Sequence, residues 1–285
     1  MIRRRTLLAT VGAAATVLAL AACSGTATPA ASSSSSGAAS GPAALSTITA
    51  GKLTVATGQP AYSPWVEDDK PQSGKGFESA VTYAVAKQLG YAASDVVWVR
   101  STFDSAITPG AKPWDLNIQQ FSITDERKKA VDFSSPYYTT TQAVVTTKGS
   151  KADGVTTLAG LKGLTIGVAA STTSLQVVTA KIGAPKVYNS NDDAVQALKT
   201  KQIDAVVTDL PTAFYIAGAQ LDDGVVAGQI ADSTTGGDRF AFVLPKNSKL
   251  TTPVSDAVDA ITKSGELKRI TDKWLSSEVD APVLQ

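Results

Sequence analysis

Hydrophobic and polar positions along the chain follow two different periods. Short apolar runs rich in β-branched residues predict strands, which cover residues 52–57, 96–99, 115–118, 164–168, 205–208 and 240–244, with extended runs over 131–138 and 142–147. Helical spacing of apolar or small residues predicts helices over residues 77–89, 254–261 and 267–275, and a further helix runs from residue 172 or 173 to about 181. This alternation predicts an α/β architecture with mainly parallel sheets.

Helix-start signals add two further elements. Ser190 or Asn191 can cap a helix whose first turn holds Asp192 and Asp193, because side-chain oxygens cap free N–H groups and acidic residues suit the helix dipole. Pro211 suits the first turn of the helix that follows the strand at residues 205–208.

Two of the predicted strands end in polar residues in the same way. Residues 114–118 lead into Gln119 and Gln120, and residues 203–207 lead into Thr208 and Asp209. Ligands of open α/β sheets bind beyond the carboxyl ends of the strands. We therefore expect two halves of the fold to face each other across a cleft.

The first 22 residues have a different pattern. Three arginines at positions 3–5 precede an apolar stretch over residues 7–19, a combination typical of a secretory signal. Residues 20–23, Leu-Ala-Ala-Cys, resemble a bacterial lipobox, which implies that Cys23 carries a diacylglyceryl group; the alternative is a free thiol. Residues 23–44, rich in Ser, Ala and Gly, predict a flexible tether. The sequence is compatible with export by either the Sec or the Tat route.

Charge and composition exclude several classes of function. Removal of residues 1–22 leaves 23 basic and 25 acidic side chains, net −2, without a basic stripe for nucleic acid. The chain has no His, which is the commonest general base and zinc ligand. With Cys23 lipidated, Cys/His metal sites and Ser-His or Cys-His catalysis are excluded. We expect no metal, no cofactor and no catalytic residue, although Asp, Glu, Lys and Tyr remain.

One long motif resembles a known family. Residues 122–127 (Ser-Ile-Thr-Asp-Glu-Arg) and 131–138 (Val-Asp-Phe-Ser-Ser-Pro-Tyr-Tyr) closely resemble the signature stretch of the polar amino-acid type of bacterial extracellular solute-binding proteins. Shorter likenesses at positions 62–65, 76–78, 161–168 and 205–209 follow in the expected order. The resemblance spans essentially all of residues 45–275.

The resemblance implies a two-lobed, periplasmic-binding-protein-like fold that closes on its ligand by a hinge motion. The first lobe would comprise residues 45–141 and 236–285, and the second lobe residues 142–235. Two extended crossovers near residues 141–147 and 228–235 would join the lobes.

The resemblance also implies a site for a free amino acid, whose two charges must both be neutralised in a cleft without water. Arg127 would bind the carboxylate through its guanidinium fork, the alternative being an ion pair with Asp125 or Asp132. Ser122 would add a hydroxyl or backbone contact. Asp209 would receive the ammonium, the alternative being a cap on the helix that follows.

The second lobe would contribute a helix start, and the first lobe aromatic walls. Thr172 and Thr173 would clasp the same carboxylate with free N–H groups, a role compatible with plain N-capping. Tyr62, Trp65 and Phe103 would pack the aliphatic part of the ligand or hold a cation, although any of them could instead belong to the core.

Departures from the family pattern narrow the expected ligand. Gln59 stands where members that take cationic side chains have an Asp, which weakens a Lys or Arg substrate. Gln119 and Gln120 either contact the ligand side chain or fill space. Arg239 near the cleft would suit an acidic side chain, the alternative being an exposed pair with Asp238. The resulting hypothesis is a polar, uncharged or acidic amino acid such as Gln, Glu or Asp.

The resemblance implies partners as well. The protein would be a monomeric capture subunit, lipid-anchored at the extracytoplasmic face of the cell membrane, that delivers its ligand to an ABC permease driven by an ATPase. Two other classes stay open. One is an enzyme on the same scaffold, because relatives of the fold include a dehydratase of small cyclic acids. The other is a sensor that binds ligand without transport.

Overall fold

The computed structural model describes residues 45–231, 237–275 and 281–285. The expected signal peptide, the lipobox with Cys23 and the tether therefore lie outside the described residues. Within the described ranges, no helix combines the length and the apolar character that a membrane span requires.

The described chain alternates strands with helices, as the pattern predicted. The strands are β1 (Leu53–Thr57), β2 (Val96–Arg100), β3 (Leu116–Asn117), β4 (Val131–Phe133), β5 (Tyr138–Thr140), β6 (Gln142–Thr147), β7 (Ile166–Ala169), β8 (Lys186–Tyr188), β9 (Ala205–Asp209), β10 (Gly224–Ile230), β11 (Asp238–Phe240) and β12 (Val243–Pro245). The α-helices are α1 (Phe77–Gln88), α2 (Phe103–Ile107), α3 (Asp125–Lys128), α4 (Thr173–Lys181), α5 (Asn191–Lys199), α6 (Leu210–Tyr215), α7 (Thr251–Lys263) and α8 (Glu266–Trp274). A π-helical turn, Ile216–Gln220, extends α6, and short 3-10 turns lie at Glu67–Asp69, Pro71–Ser73, Ala93–Asp95 and Ala159–Leu161.

The strands form two five-stranded sheets, one in each lobe. The order is β2-β1-β3-β12-β4 in the first lobe and β10-β6-β9-β7-β8 in the second. Within each sheet four strands share one direction and one strand is reversed, β12 in the first and β6 in the second. Half of the neighbour pairings are consequently antiparallel, so both sheets are mixed rather than mainly parallel.

The reversed strands have a common physical origin. Parallel neighbours in a sheet need a crossover connection, which is usually a helix packed on the sheet. Strand β6 instead follows the β5 strand after a single residue, and β12 follows β11 after two. Strands β5 and β11 pair with each other in a separate antiparallel ribbon. Both reversed strands thus enter their sheets from this ribbon, without a helix connection.

The strand predicted over residues 240–244 is divided by the ribbon. Phe240 pairs with Tyr138 in the ribbon, whereas Val243 pairs with Asn117 and Phe133 in the first sheet. All five residues from 240 to 244 are fully buried. A continuous apolar run therefore looked like one strand, although it serves two sheets.

Each lobe has its own hydrophobic core. In the first lobe α1, α7 and α8 pack on the sheet around Phe77, Val81 and Val258. The second lobe has a cluster on each face of its sheet, one centred on α5 and α6 and the other including α4. Because each sheet is packed in its own core, each lobe has a rigid support for the side chains that project into the space between the lobes.

The last five residues differ from the domain division suggested by the sequence. Residues 236–285 were assigned to the first lobe, but Ala281 and Leu284 are buried in the two clusters of the second lobe. Val283 bridges to Gln229, and the main chain of Gln285 bonds to residues in the segment before β7. The C-terminal segment therefore belongs to the second lobe.

Candidate functional site

A cavity of about 340 Å³ lies between the lobes, lined by residues from both. Eleven of the twelve predicted ligand-binding residues line it: Gln59, Tyr62, Trp65, Phe103, Gln119, Gln120, Ser122, Arg127, Thr172, Thr173 and Asp209. Arg239 does not; its side chain is exposed on β11. Side chains alternate along a strand, so Arg239 lies on the opposite face of the β5–β11 ribbon from its neighbours Asp238 and Phe240.

Arg127 lies in the one-turn helix α3 and is 8% exposed. Its Nη1 donates to the Ser122 carbonyl at 2.7 Å, and its Nη2 donates to the Ser171 carbonyl of the other lobe at 2.8 Å. Its guanidinium carbon lies 5.3 Å from the centre of the Phe103 ring, a cation–π distance. These contacts hold a buried cation in one orientation.

The alternative ion-pair partners of Arg127 are engaged elsewhere. Asp125 pairs with Lys128 at 3.0 Å, and Asp132 pairs with Lys246 at 3.0 Å. No ion pair involves Arg127 in the part of the chain that the structure describes. Burial lowers the pKa of Arg127, although nearby Asp238 and Asp209 oppose the shift. A buried guanidinium without a carboxylate is suited to binding an anion.

Asp209 ends strand β9 and occupies the N-cap position of α6, yet its side chain makes no capping hydrogen bond. Its carboxylate instead accepts a hydrogen bond of 2.8 Å from Nε2 of Gln142. Burial and, to a smaller extent, the charge of Asp238 raise the pKa of Asp209 to about 7, against the opposing effects of Gln142 and Arg127. An ammonium group beside Asp209 would favour its ionised form.

Gln142 connects the two lobes through a polar network. Its Nε2 also donates to Asp238 at 2.6 Å, and its Oε1 accepts from the Ser174 hydroxyl at 2.6 Å. The Thr173 hydroxyl donates to the same oxygen of Asp238 at 2.7 Å. Asp238 therefore does not form the exposed pair with Arg239 that the sequence suggested as an alternative.

The start of α4 faces the cavity, with Thr172 as its N-cap. The Thr172 hydroxyl accepts from the Leu175 N–H at 3.2 Å and donates to the Ala169 carbonyl. A cap of this kind leaves the N–H groups of the first helical residues, Thr173 and Ser174, without acceptors inside the helix. Thr172 thus caps α4 while the positive end of the helix dipole faces the cavity, and the two roles are compatible, as expected from the sequence.

Gln119 and Gln120, which follow β3, are fixed by hydrogen bonds to other residues of the first lobe. Glu78 of α1, fully buried, accepts hydrogen bonds from both the backbone N–H and the side-chain amide of Gln120 and from the Tyr137 hydroxyl. Gln120 has a left-handed φ of 52°, which these bonds support. Gln119 donates to Asn117 at 2.8 Å. Burial outweighs the lowering effect of the hydrogen bonds that Glu78 accepts, and raises the pKa of Glu78 to about 7.

The aromatic residues of the first lobe reach across the cavity. The Tyr62 hydroxyl donates to Asp192, and its ring centre lies 6.2 Å from that of Tyr215. Trp65 is 2% exposed and packs on Phe77 as core, but its Nε1 donates to the Thr212 hydroxyl of the second lobe at 3.0 Å. Phe103 stacks on Phe121 at 4.6 Å and supports the Arg127 guanidinium.

Sequence reasoning missed several residues that line the cavity or hold its lining: Glu78, Gln142, Asp192, Thr212, Tyr215 and Gln220. One available signal was that Asp192 opens a helix. It lies just after a strand end, where ligand-binding residues gather. The strand in question, β8, is three residues long and mostly exposed, so it has no recognisable pattern.

A two-lobed α/β fold with a cavity between the lobes is typical of the class of solute-binding proteins. The sequence profile of the bacterial extracellular solute-binding proteins, family 3, matches residues 53–277, so the chain belongs to that family. The family implies an extracytoplasmic location. The expected recognition and the two-lobed fold are thereby confirmed.

Three relatives illustrate the range of the family. The chain is 31% identical over 238 residues to the arginine-binding extracellular protein ArtP of Bacillus subtilis (strain 168), covering 80% of this chain and 89% of ArtP. It is 34% identical over 204 residues to a probable histidine-binding protein of Campylobacter jejuni, covering 69% and 74%. A crystal structure of an ancestral amino acid-binding protein, described as a precursor of cyclohexadienyl dehydratase, is 30% identical with a TM-score of 0.63, covering 79% and 95%.

Proposed function

We propose that this protein is the substrate-binding subunit of an ABC importer and that it captures a polar amino acid between its lobes. The observation that carries the proposal is that Arg127 and Asp209 line one cavity without forming an ion pair with each other. One presents a buried cation without a carboxylate partner, and the other a carboxylate bonded only to an amide within the described contacts. The cation of Arg127 is complementary to the carboxylate of an amino-acid zwitterion, and the carboxylate of Asp209 is complementary to its ammonium.

The assignment of individual contacts follows from this geometry. Arg127 would hold the ligand carboxylate, assisted by Ser122 and by the helix start at Thr172 and Thr173. Asp209 would hold the ammonium. Tyr62, Trp65 and Phe103 would enclose the rest of the ligand, with Gln59, Gln119 and Gln120 near its side chain.

A thermal-shift screen against the free amino acids, small peptides and dicarboxylates tests the binding function. A ligand that binds only the folded state raises the melting temperature. We expect shifts with amino acids for the wild type and for Arg239→Ala, whose arginine lies outside the cavity, and none for Arg127→Ala. Peptides or dicarboxylates that stabilise the protein equally well in Arg127→Ala would contradict the proposal.

The lipid anchor and the transport partner belong to the same proposal. Cys23 would carry the lipid, including palmitate, and residues 24–44 would tether the binding body to the outer face of the cell membrane. Cys23→Ser should move the protein from the membrane fraction to the medium and abolish labelling by radioactive palmitate. Retention of label in the variant would exclude this site of lipidation.

Two measurements separate transport from the other functions of this scaffold. Uptake of the radiolabelled ligand should fall when the gene is deleted, whereas a sensor without transport would leave uptake unchanged. Mass spectrometry of ligand incubated with the protein should recover it intact, because we propose a binding protein. An altered ligand mass would show that the protein is an enzyme on the same scaffold, such as a dehydratase.

A further inference from the structure

The charged side chains that line the cavity are unequal in number. Among the described residues the lining contains one cation, Arg127, and three carboxylates, those of Asp104, Asp192 and Asp209. A bound zwitterion would neutralise Arg127 and Asp209. Two carboxylates would remain, of which Asp104 is exposed and Asp192 is half-buried.

Asp192 faces the cavity from the first turn of α5, on the second lobe. One oxygen accepts the Tyr62 hydroxyl of the first lobe, and the amide nitrogen of Gln220 lies 3.5 Å from the other. A carboxylate offers about four acceptor positions, so these contacts leave room for further donors. No cationic side chain pairs with Asp192 within the described ranges.

The cations that could serve an acidic ligand side chain are absent from the described lining. Arg100, the last residue of β2, donates to the Asp69 carboxylate and to the backbone carbonyls of Gly58 and Asp69. Arg239 is exposed and outside the cavity. The structural basis for expecting an acidic side chain, which was Arg239 beside the cleft, is therefore missing.

The surroundings of Asp192 suit a cation with an apolar stem. Tyr62 and Tyr215 lie together next to the carboxylate and offer aromatic faces to a guanidinium or an ammonium. Burial raises the pKa of Tyr62, and the charges of Asp192 and Asp69 raise it further, which indicates a negative potential in this part of the cleft. The carboxylates that act on Arg127 are different ones, Asp238 and Asp209.

We propose that Asp192 determines specificity and that the cleft takes an amino acid with a cationic side chain, whose guanidinium or ammonium binds Asp192 beside Tyr62. This inference rests on the proposed function, in which Arg127 and Asp209 bind the zwitterion. In this chain the first lobe has Gln59 at the position where members that take cationic side chains have an Asp. Asp192 of the second lobe would supply the carboxylate instead. Because a cation bound at Asp192 also contacts Tyr62, it links the two lobes.

Isothermal titration calorimetry with L-arginine, L-lysine, L-glutamine and L-glutamate tests the inference on the wild type, Asp192→Asn and Asp193→Asn. Asp193 is the matched control, since it is adjacent but exposed and bonds to Ser190. We expect the wild type and Asp193→Asn to bind arginine or lysine at least about tenfold more tightly than glutamine. Asp192→Asn should lose about 10- to 100-fold in affinity for the cationic ligands and change little for glutamine.

A third variant separates specificity from lobe closure. Tyr62→Phe removes the hydroxyl that binds Asp192 but keeps the carboxylate, so it should preserve the preference for a cationic side chain. The inference is overturned if Asp192→Asn weakens arginine and glutamine equally, if Tyr62→Phe abolishes the preference, or if the wild type prefers glutamate or glutamine. Binding of no amino acid, or binding unaffected by Arg127→Ala, would instead refute the proposed function itself.

Discussion

The guanidinium of Arg127 donates to the backbone carbonyl of Ser171 across the cleft, with the two atoms 2.8 Å apart. Arg127 belongs to the first lobe and Ser171 to the turn that precedes α4 in the second. Ser171 has a left-handed φ of 59°, a backbone conformation that non-glycine residues rarely adopt. Arg127, the residue proposed to bind the ligand carboxylate, is therefore also hydrogen-bonded to the other lobe.

The geometry of the Arg127 side chain, and not only its charge, should control affinity. Arg127→Lys keeps a cation but loses the fork that contacts two carbonyls and a ligand carboxylate together. We expect its affinity for the amino acid to fall at least about 30-fold, or about 2 kcal/mol. Calorimetry measures this directly. Arg239→Lys is the matched control, and an equal loss in both variants would contradict the role of the fork.

Affinity should depend on pH through Asp209. Its pKa is about 7 in the ligand-free protein, and only the ionised carboxylate attracts an ammonium. Below pH 7 binding must release a proton, so affinity should fall by up to about tenfold for each pH unit. Titrations between pH 5.5 and 8.5 should show this decline in the wild type. In Asp209→Asn binding should be weak throughout, and a variant with the wild-type pH profile would exclude this assignment.

Stability should depend on pH through Glu78. Its folded-state pKa of about 7 exceeds the ordinary value of 4.5, so the folded protein holds a proton that the unfolded chain releases. This contribution is fully present below pH 4.5 and is lost as pH rises through 7, a change of about 3 kcal/mol in the free energy of unfolding.

Denaturant unfolding at pH 5 and pH 8 tests the Glu78 assignment. Glu78→Gln cannot ionise, so its free energy of unfolding should decline less between the two pH values than that of the wild type. Its amide also presents a donor towards the Gln120 amide, which should lower stability at pH 5. Glu126→Gln, at an exposed position, should behave like the wild type. Identical pH slopes for the wild type and Glu78→Gln would disprove the assignment.

Trp65 should contribute to closure separately from its role in the core. Trp65→Phe keeps an aromatic ring against Phe77 but removes the N–H that donates to Thr212 in the other lobe. We expect ligand affinity to fall about three- to tenfold, since a buried hydrogen bond contributes about 1 kcal/mol. Small-angle scattering should detect a larger radius of gyration at subsaturating ligand.

Trp98→Phe provides the matched control for this prediction. The Trp98 N–H donates to the Tyr83 hydroxyl within the first lobe, so its loss affects no contact between the lobes. Affinity and radius of gyration should stay at their wild-type values. The proposed role of the Trp65–Thr212 hydrogen bond in closure would be wrong if Trp65→Phe and Trp98→Phe changed affinity to the same extent.

The periodic patterns of the sequence determined most of the long elements. Helix α1 begins at the predicted residue 77 and α4 at 173, one of the two predicted starts, because an amphipathic period or a cap is a local property of consecutive residues. Ser190 caps α5 through the Asp193 N–H, as predicted. The missed elements include α2, α3 and β8, which have three to five residues each and are too short to display a period.

The sequence also determined which residues face the cavity where a contiguous motif or a strand end marked them. Arg127 and Asp209 are such cases, and the structure brings both to one cleft. The tertiary structure alone decided which polar groups meet. Tyr62 reaches Asp192 across 130 positions and Gln142 reaches Asp238 across 96. No local pattern encodes such pairs, because two separately packed cores and a returning ribbon set the distance between them.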